Sequence, residues 1–123
     1  MDNSISNYGS ITIADEVVAT IAGITAVDID GVAGMSGGIV GGLGEMLGRK
    51  NLSKGVKVEV GERETNIDLF IIVDYGTKIP GICTDMQEKV KREVESMTGL
   101  DVREVNVHVQ GVATEKSSRD DEY

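Results

Sequence analysis

From Gly9 to Ile13 (Gly-Ser-Ile-Thr-Ile) polar and apolar positions alternate and the apolar ones are β-branched, so the segment reads as a short strand. The period then changes. Val17, Ile21 and Ile24 fall on one line at helical spacing, with Val18, Ala22 and Thr25 beside it, which predicts an apolar helix face from Asp15 to Val27. Asp15 and Glu16 put acid at the start of that helix, where the backbone dipole favours it. Its β-branched residues make it intrinsically weak, so packing on a sheet has to hold it. Asp28 to Gly34 reads as a turn with a short strand around Val32.

Alternation returns at Val56, Val58 and Val60, which flank Lys57 and Glu59 in a half-buried strand. In the next strand Ile67, Leu69, Ile71 and Val73 share one face, while Asn66, Asp68, Phe70 and Ile72 share the other. A second helix follows Pro80, a residue suited to a first helical turn. Ile82, Met86, Val90, Val94 and Met97 run down one side of it, and Asp85–Lys89 and Glu88–Arg92 have i, i+4 spacing on the solvent side. Gly99 reads as a left-handed stop, with Leu100 packing back as in a Schellman motif. The last strand, Val102 to Val109, turns Val105, Val107 and Val109 inward and Asn106, His108 and Gln110 outward.

Every predicted element has one apolar face. The order β-α-(β)-β-β-α-β then folds most economically as a two-layer α+β sandwich, both helices on one face of a small, mostly antiparallel sheet. The other sheet face is left open to solvent. Residues 1–8 read as a flexible amino terminus and 9–112 as a single domain with a glycine-rich insert at 34–54; 113–123 read as a disordered charged tail.

Glycine changes this picture most. There are 16 glycines in 123 residues, and nine of them fall between Gly31 and Gly55. Ile39, Val40, Leu43, Met46 and Leu47 have helix-like spacing inside that stretch, but glycines between them weaken any helix by ~1 kcal/mol each. The segment reads as a partly apolar flap, either a surface loop or a contact element for a partner, an oligomer or a lipid surface.

Phosphate chemistry is the alternative for the flap, and spacing argues against it. Gly44 is followed by three residues before Gly48, where a P-loop needs four and then Gly-Lys-Ser/Thr. Leu47 stands where the third glycine of a dinucleotide fingerprint belongs. Gly34-Met-Ser-Gly37 matches the loop of KH domains, but the chain carries 12 basic against 21 acidic residues, a net charge of −9. That balance repels phosphate backbones and argues against nucleic-acid partners. A small-ligand or anion-binding module using the flap stays as the alternative function.

Other candidate chemistry is sparse. His108 is the only imidazole, and its neighbours Asn106 and Gln110 are not nucleophiles. Cys83, the only cysteine, lies beside the apolar stripe of the second helix and reads as packed rather than reactive. Asp28 and Asp30 resemble part of a calcium loop, but Ala26 and Gly37 occupy its other ligand positions. No catalytic residue, metal site or cofactor is expected. The amino terminus lacks the features of a signal peptide, and no apolar run reaches the ~18 residues of a membrane span. What stands out instead is the open sheet face, where Phe70 and Ile72 lie among Asn106 and His108: a candidate interaction surface.

Taken in order, Gly9-Ser-Ile-Thr-Ile-Ala-Asp-Glu-Val-Val18, Ile21-Ala-Gly, Gly31-Val-Ala-Gly-Met35, Gly55-Val-Lys-Val58, Ile67-Asp-Leu, Val73-Asp-Tyr-Gly76, Met97-Thr-Gly-Leu100 and Val105-Asn-Val-His-Val-Gln-Gly-Val112 form a pattern. It resembles the alkaline shock protein family of Gram-positive bacteria, also called the envelope stress response or general stress protein family. The resemblance spans Gly9 to Val112. It implies a non-enzymatic, acidic, cytoplasmic protein tied to cell-envelope homeostasis. Some such proteins are held at the inner face of the membrane by a small membrane-anchored partner, rather than by inserting themselves, and self-associate there. Ala14 departs from the pattern by standing where a Ser-type helix cap is expected, so Asp15 has to start the helix unaided.

Overall fold

The computed structural model describes residues 8–36 and 54–114. Within them the elements are α1 (Asp15–Val27), β1 (Val32–Met35), β2 (Val56–Val60), β3 (Glu64–Asp74), α2 (Ile79–Thr98) and β4 (Asp101–Ala113). The architecture is the expected two-layer α+β sandwich. The expected amino-terminal strand is the exception: Gly9 makes an isolated bridge and 10–14 join no strand. Alternation supplies propensity but not a partner. Both edges of the central strand β3 are already occupied, by β1 and β2 on one side and by β4 on the other.

β1 and β2 lie end to end along one edge of β3, both antiparallel to it. β1 pairs with the carboxyl half (Val32 with Val73, Met35 with Ile71), and β2 with the amino half (Val56 with Leu69, Val60 with Thr65). They meet at Phe70. The Ser36 N–H donates to the Phe70 carbonyl at 2.8 Å, and the Phe70 N–H donates to the Gly55 carbonyl at 2.8 Å. β4 runs parallel to β3 along its full length, from Glu64–Asp101 to Asp74–Ala113. Parallel neighbours need a long crossover, and the 20 residues of α2 supply it. β4 therefore runs past Val109, and Ala113 closes the sheet rather than opening the tail.

The core lies between this sheet and the helices. Ile67, Leu69 and Ile71 are fully buried, as their shared period requires, and Val73 nearly so. Met86, Val90 and Val94 meet them from α2 at zero exposure. Thr65 is also buried, and its hydroxyl donates to the Glu59 carbonyl at 3.0 Å. Two helix faces differ from expectation. On α1 the buried line is Val18, Ala22 and Ala26 with Ile21, whereas Val17 and Ile24 stay 46% and 49% exposed. Small alanines let the helix sit close to β1 and β2, and that approach turns the larger β-branched side chains outward. On α2 the stripe ends at Val94, with Met97 64% exposed in the last turn.

Helix ends follow local chemistry. Ala14 caps α1 with an extended backbone and no side-chain bond, as its methyl group dictates, and the helix begins at Asp15. Gly99 stops α2 in the left-handed region at φ +80, its N–H donating to the Glu95 carbonyl at 2.9 Å. Leu100 is buried as expected. Its N–H, however, goes to the Thr98 hydroxyl at 3.1 Å and not to a helix carbonyl, so the stop is a single-bond left-handed cap rather than a Schellman motif. Of the two expected ion pairs on α2, Asp85–Lys89 forms at 3.7 Å. Among the described residues Glu88–Arg92 does not; Lys91–Glu95 forms in its place at 2.8 Å.

Candidate functional site

The face of the sheet away from the helices holds the residues singled out in the sequence. Strand alternation puts Asn66, Asp68, Phe70 and Ile72 of β3 on it, and β4 adds Asn106, His108 and Gln110. The parallel register sets Phe70 directly beside His108. Their rings stack, with centroids 4.5 Å apart and planes 13° from parallel. His108 Nε2 lies 3.2 Å from Asp68 Oδ1, which holds the imidazole over the phenyl ring. Both partners of that contact remain open to water, at 45% and 36% exposure.

Around this pair the face is polar. Asn106 Nδ2 donates to Glu104 Oε1 at 3.3 Å. Ser36 Oγ donates to Gln110 Oε1 at 2.9 Å and ties the end of β1 to β4 across β3. Ile72 lies half-buried over Gly111, where an added Cβ would come 3.0 Å from Ile72 Cδ1. Gly111 is thus the space that Ile72 occupies. Asn66 Oδ1 is buried with no hydrogen-bond partner among the described residues. Phe70, Ile72, Asn106 and His108 therefore do share one surface. The insert residues Ile39, Val40, Leu43, Met46 and Leu47 fall outside the described residues.

Among the described residues His108 has the Asp68 carboxylate and the Phe70 ring beside it. Cys83 is on α2, in the other layer, and partial burial pushes its thiol up from the ordinary value, away from the reactive thiolate. Among the described residues no three His, Cys, Asp or Glu side chains gather in a way that would hold a metal.

Sequence periodicity missed a second exposed apolar surface. Ile21, Ile24 and Val27 of α1 and Met97 of α2 line a groove between the helices, with Glu93 at its rim. All four apolar residues fit a core-facing stripe, so nothing in the pattern separated those that overhang the sheet from those above it. One signal was available: α1 carries no charged residue after Glu16.

Fold and face together define a small α+β domain with an open sheet surface that mixes aromatic, aliphatic and polar groups. The chain belongs to the alkaline shock protein 23 family, described as having a "cell envelope-related function", whose pattern matches residues 3–114. This is the family that the sequence motifs resemble. YloU of Bacillus subtilis is 45% identical over 109 residues, covering 87% of this chain and 91% of that protein. YqhY of the same organism is 38% identical over 112 residues, covering 91% and 83%. A protein of Streptococcus pyogenes named as a stress response regulator gls24 homolog is 36% identical over 109 residues. That match spans 88% of this chain but 61% of the streptococcal protein. Among solved structures, a nickel form of the MamM CTD aligns with TM-score 0.48 and 14% identity, covering 78% of this chain and 96% of that one. No helix among the described residues is long and apolar enough to cross a membrane.

Proposed function

We propose that this chain is a non-enzymatic scaffold or adaptor of the cell-envelope stress response. It self-associates in the cytoplasm and docks, through its open sheet face, on a small membrane-anchored protein. The observation that carries the reading is the stacked Phe70–His108 pair. A half-buried aromatic ring on the face away from the helices, with the half-buried Ile72 beside it and hydrogen-bonding groups around it, has the composition of a contact centre. Membership in an envelope-related family supports the same direction. The net charge of −9 weighs against direct adhesion to anionic lipid, so the membrane is reached through a protein.

Phe70→Ser tests the docking. The ring stack is worth ~0.5–1.5 kcal/mol beyond the apolar area that the half-buried Phe70 loses, so circular dichroism first establishes that the variant folds. The wild-type chain is expected in the membrane fraction of cells expressing the partner, and the variant in the soluble fraction with a melting temperature lowered by a few degrees. Equal membrane recovery of the two chains refutes docking through this face. Sedimentation of the wild type over a concentration series tests self-association separately, and a strict monomer at every concentration refutes it.

A further inference from the structure

The two outer edges of the sheet are treated differently. On one side stand β1 and β2, short strands of 4 and 5 residues, with Lys57 and Glu59 exposed on β2. Brevity and charge are the usual protections of an edge. On the other side stands β4, with 13 residues. Its first half is capped by α2. Glu95 Oε2 accepts the Val102 N–H at 2.9 Å, Lys91 Nζ donates to the Val102 carbonyl at 3.0 Å, and Gln87 Nε2 donates to the Val105 carbonyl at 2.9 Å. These three side chains do for Val102 and Val105 what a further strand would do.

The second half has no such cap. Because the Val105 carbonyl points to the outer edge, alternation turns the backbone N–H and C=O of Val107 and Val109 the same way. The Ala113 carbonyl accepts from the Tyr75 N–H on the inner side, so Val112 also faces outward. Among the described residues no side chain of α2 reaches these outward groups as Gln87, Lys91 and Glu95 reach Val102 and Val105. The stretch Val107-His-Val-Gln-Gly-Val112 carries no Lys, Arg, Asp, Glu or Pro. It lacks the α2 caps that cover the first half of β4, and its one irregularity falls between Val109 and Gly111.

We infer that residues 107–112 of β4 pair antiparallel with the same residues of a second copy, joining two sheets into one. The inference rests on the self-association proposed above and names its surface. The outward groups of Val107 and Val109, two residues apart, fit another strand rather than a helix or a lipid, and the irregularity before Gly111 carries the edge on to Val112. A segment that meets itself about a two-fold axis sets the donors of one copy against the acceptors of the other. Two copies at −9 each repel over most of their surface, and this uncharged stretch is where they approach at least cost. Pairing ends where Gln87 and Lys91 begin, which fixes its extent. The two-fold axis of an antiparallel edge contact is normal to the sheet. Both open faces, each with its Phe70–His108 pair, therefore lie on one side of the joined sheet, and both helix layers on the other.

Disulfide trapping tests this in a Cys83→Ser background. Gln110→Cys is expected to give a covalent dimer under mild oxidation, and Lys57→Cys on the opposite edge to give none. Val109→Pro removes one outward N–H and no inner one, so it is expected to weaken association on the order of tenfold with the fold retained by circular dichroism. If the wild type associates but Gln110→Cys yields no more dimer than Lys57→Cys, the edge assignment is wrong and self-association stands. A Gln110→Cys chain that stays monomeric, with the amides of Val107 and Val109 slow to exchange, means the chain's own terminus fills the edge, which also overturns the assignment. A wild type that never associates overturns both.

Discussion

Gly55 is the position where a single methyl group tests the architecture. It sits at φ +79, in the left-handed region, and its carbonyl accepts the Phe70 N–H at 2.8 Å. A Cβ added there would meet the Ser36 carbonyl oxygen at 2.8 Å, the Phe70 carbonyl oxygen at 3.1 Å and Met35 Cβ at 3.2 Å. Two of those neighbours are backbone atoms held in the sheet, so neither can swing away. The left-handed backbone costs an L-residue ~1–2 kcal/mol. Forcing backbone aside adds ~1–3 kcal/mol. Lower entropy of the unfolded chain returns ~0.4–1 kcal/mol. Gly55→Ala should therefore destabilise by about 1–5 kcal/mol, a large part of a typical domain's stability. Gly34→Ala is the control, because its added Cβ meets nothing within 4 Å and its backbone is ordinary. It should change stability by about 0.5 kcal/mol or less, as surface changes do. Urea unfolding at equal m-values reads both. Gly55→Asn separates the causes: asparagine tolerates the left-handed region but keeps the Cβ, so it should recover the backbone part, ~1 kcal/mol, and retain the steric loss. If Gly55→Ala unfolds at the same urea concentration as Gly34→Ala, the junction of β1, β2 and β3 is not packed as described.

Two further perturbations check the helix layer. The hydrogen bond from Lys91, then that from the Val102 N–H, hold the Glu95 carboxyl below its ordinary value of 4.5. A depressed carboxyl contributes stability above its unfolded value and loses it as pH falls through the folded one. Glu95→Gln should thus lower the urea midpoint at pH 7, modestly because the pair faces water, and the gap to wild type should close below pH 4; a gap constant with pH would contradict the pairing. Val94→Ala, at zero exposure, should cost about 1–3 kcal/mol, whereas Met97→Gln, 64% exposed, should stay within about 0.5 kcal/mol of wild type. Equal losses would mean that the stripe continues into the last turn of α2 after all.

Much of this fold was legible because period and burial agree where an element is covered on one side only. Ile67, Leu69, Ile71 and Val73 lie in a strand with a helix layer above and water below, so alternation alone identifies the core face. The same rule put Phe70, Ile72, Asn106 and His108 on one surface. What it could not supply is pairing. That His108 lies beside Phe70, not two residues away, follows from a parallel register set by α2 and by irregularities at Thr65/Asn66 and Ile71/Ile72. α1 failed for the opposite reason. With Val17, Val18, Ile21, Ala22, Ile24 and Ala26 all apolar, every rotation of the helix satisfies a 3.6 period, and the choice fell to side-chain size against the sheet. The uncapped half of β4 was invisible because its distinction is where three α2 side chains stop, at Val102 and Val105.

The place of the glycine-rich insert in the sheet explains how the domain accommodates it. β1 and β2 act as one interrupted strand along β3, and the chain leaves that line at Ser36 and rejoins it at Gly55. Both ends bond to the same residue, Phe70, through its carbonyl and its N–H. The cost of closing a loop between fixed ends rises by only about 0.6 kcal/mol for each doubling of its length. An insert here can change in length and composition without disturbing the pairs on either side, provided Gly55 keeps its backbone. Phe70 is the residue common to both anchors, since its backbone bonds to Ser36 and Gly55 while its ring stacks on His108.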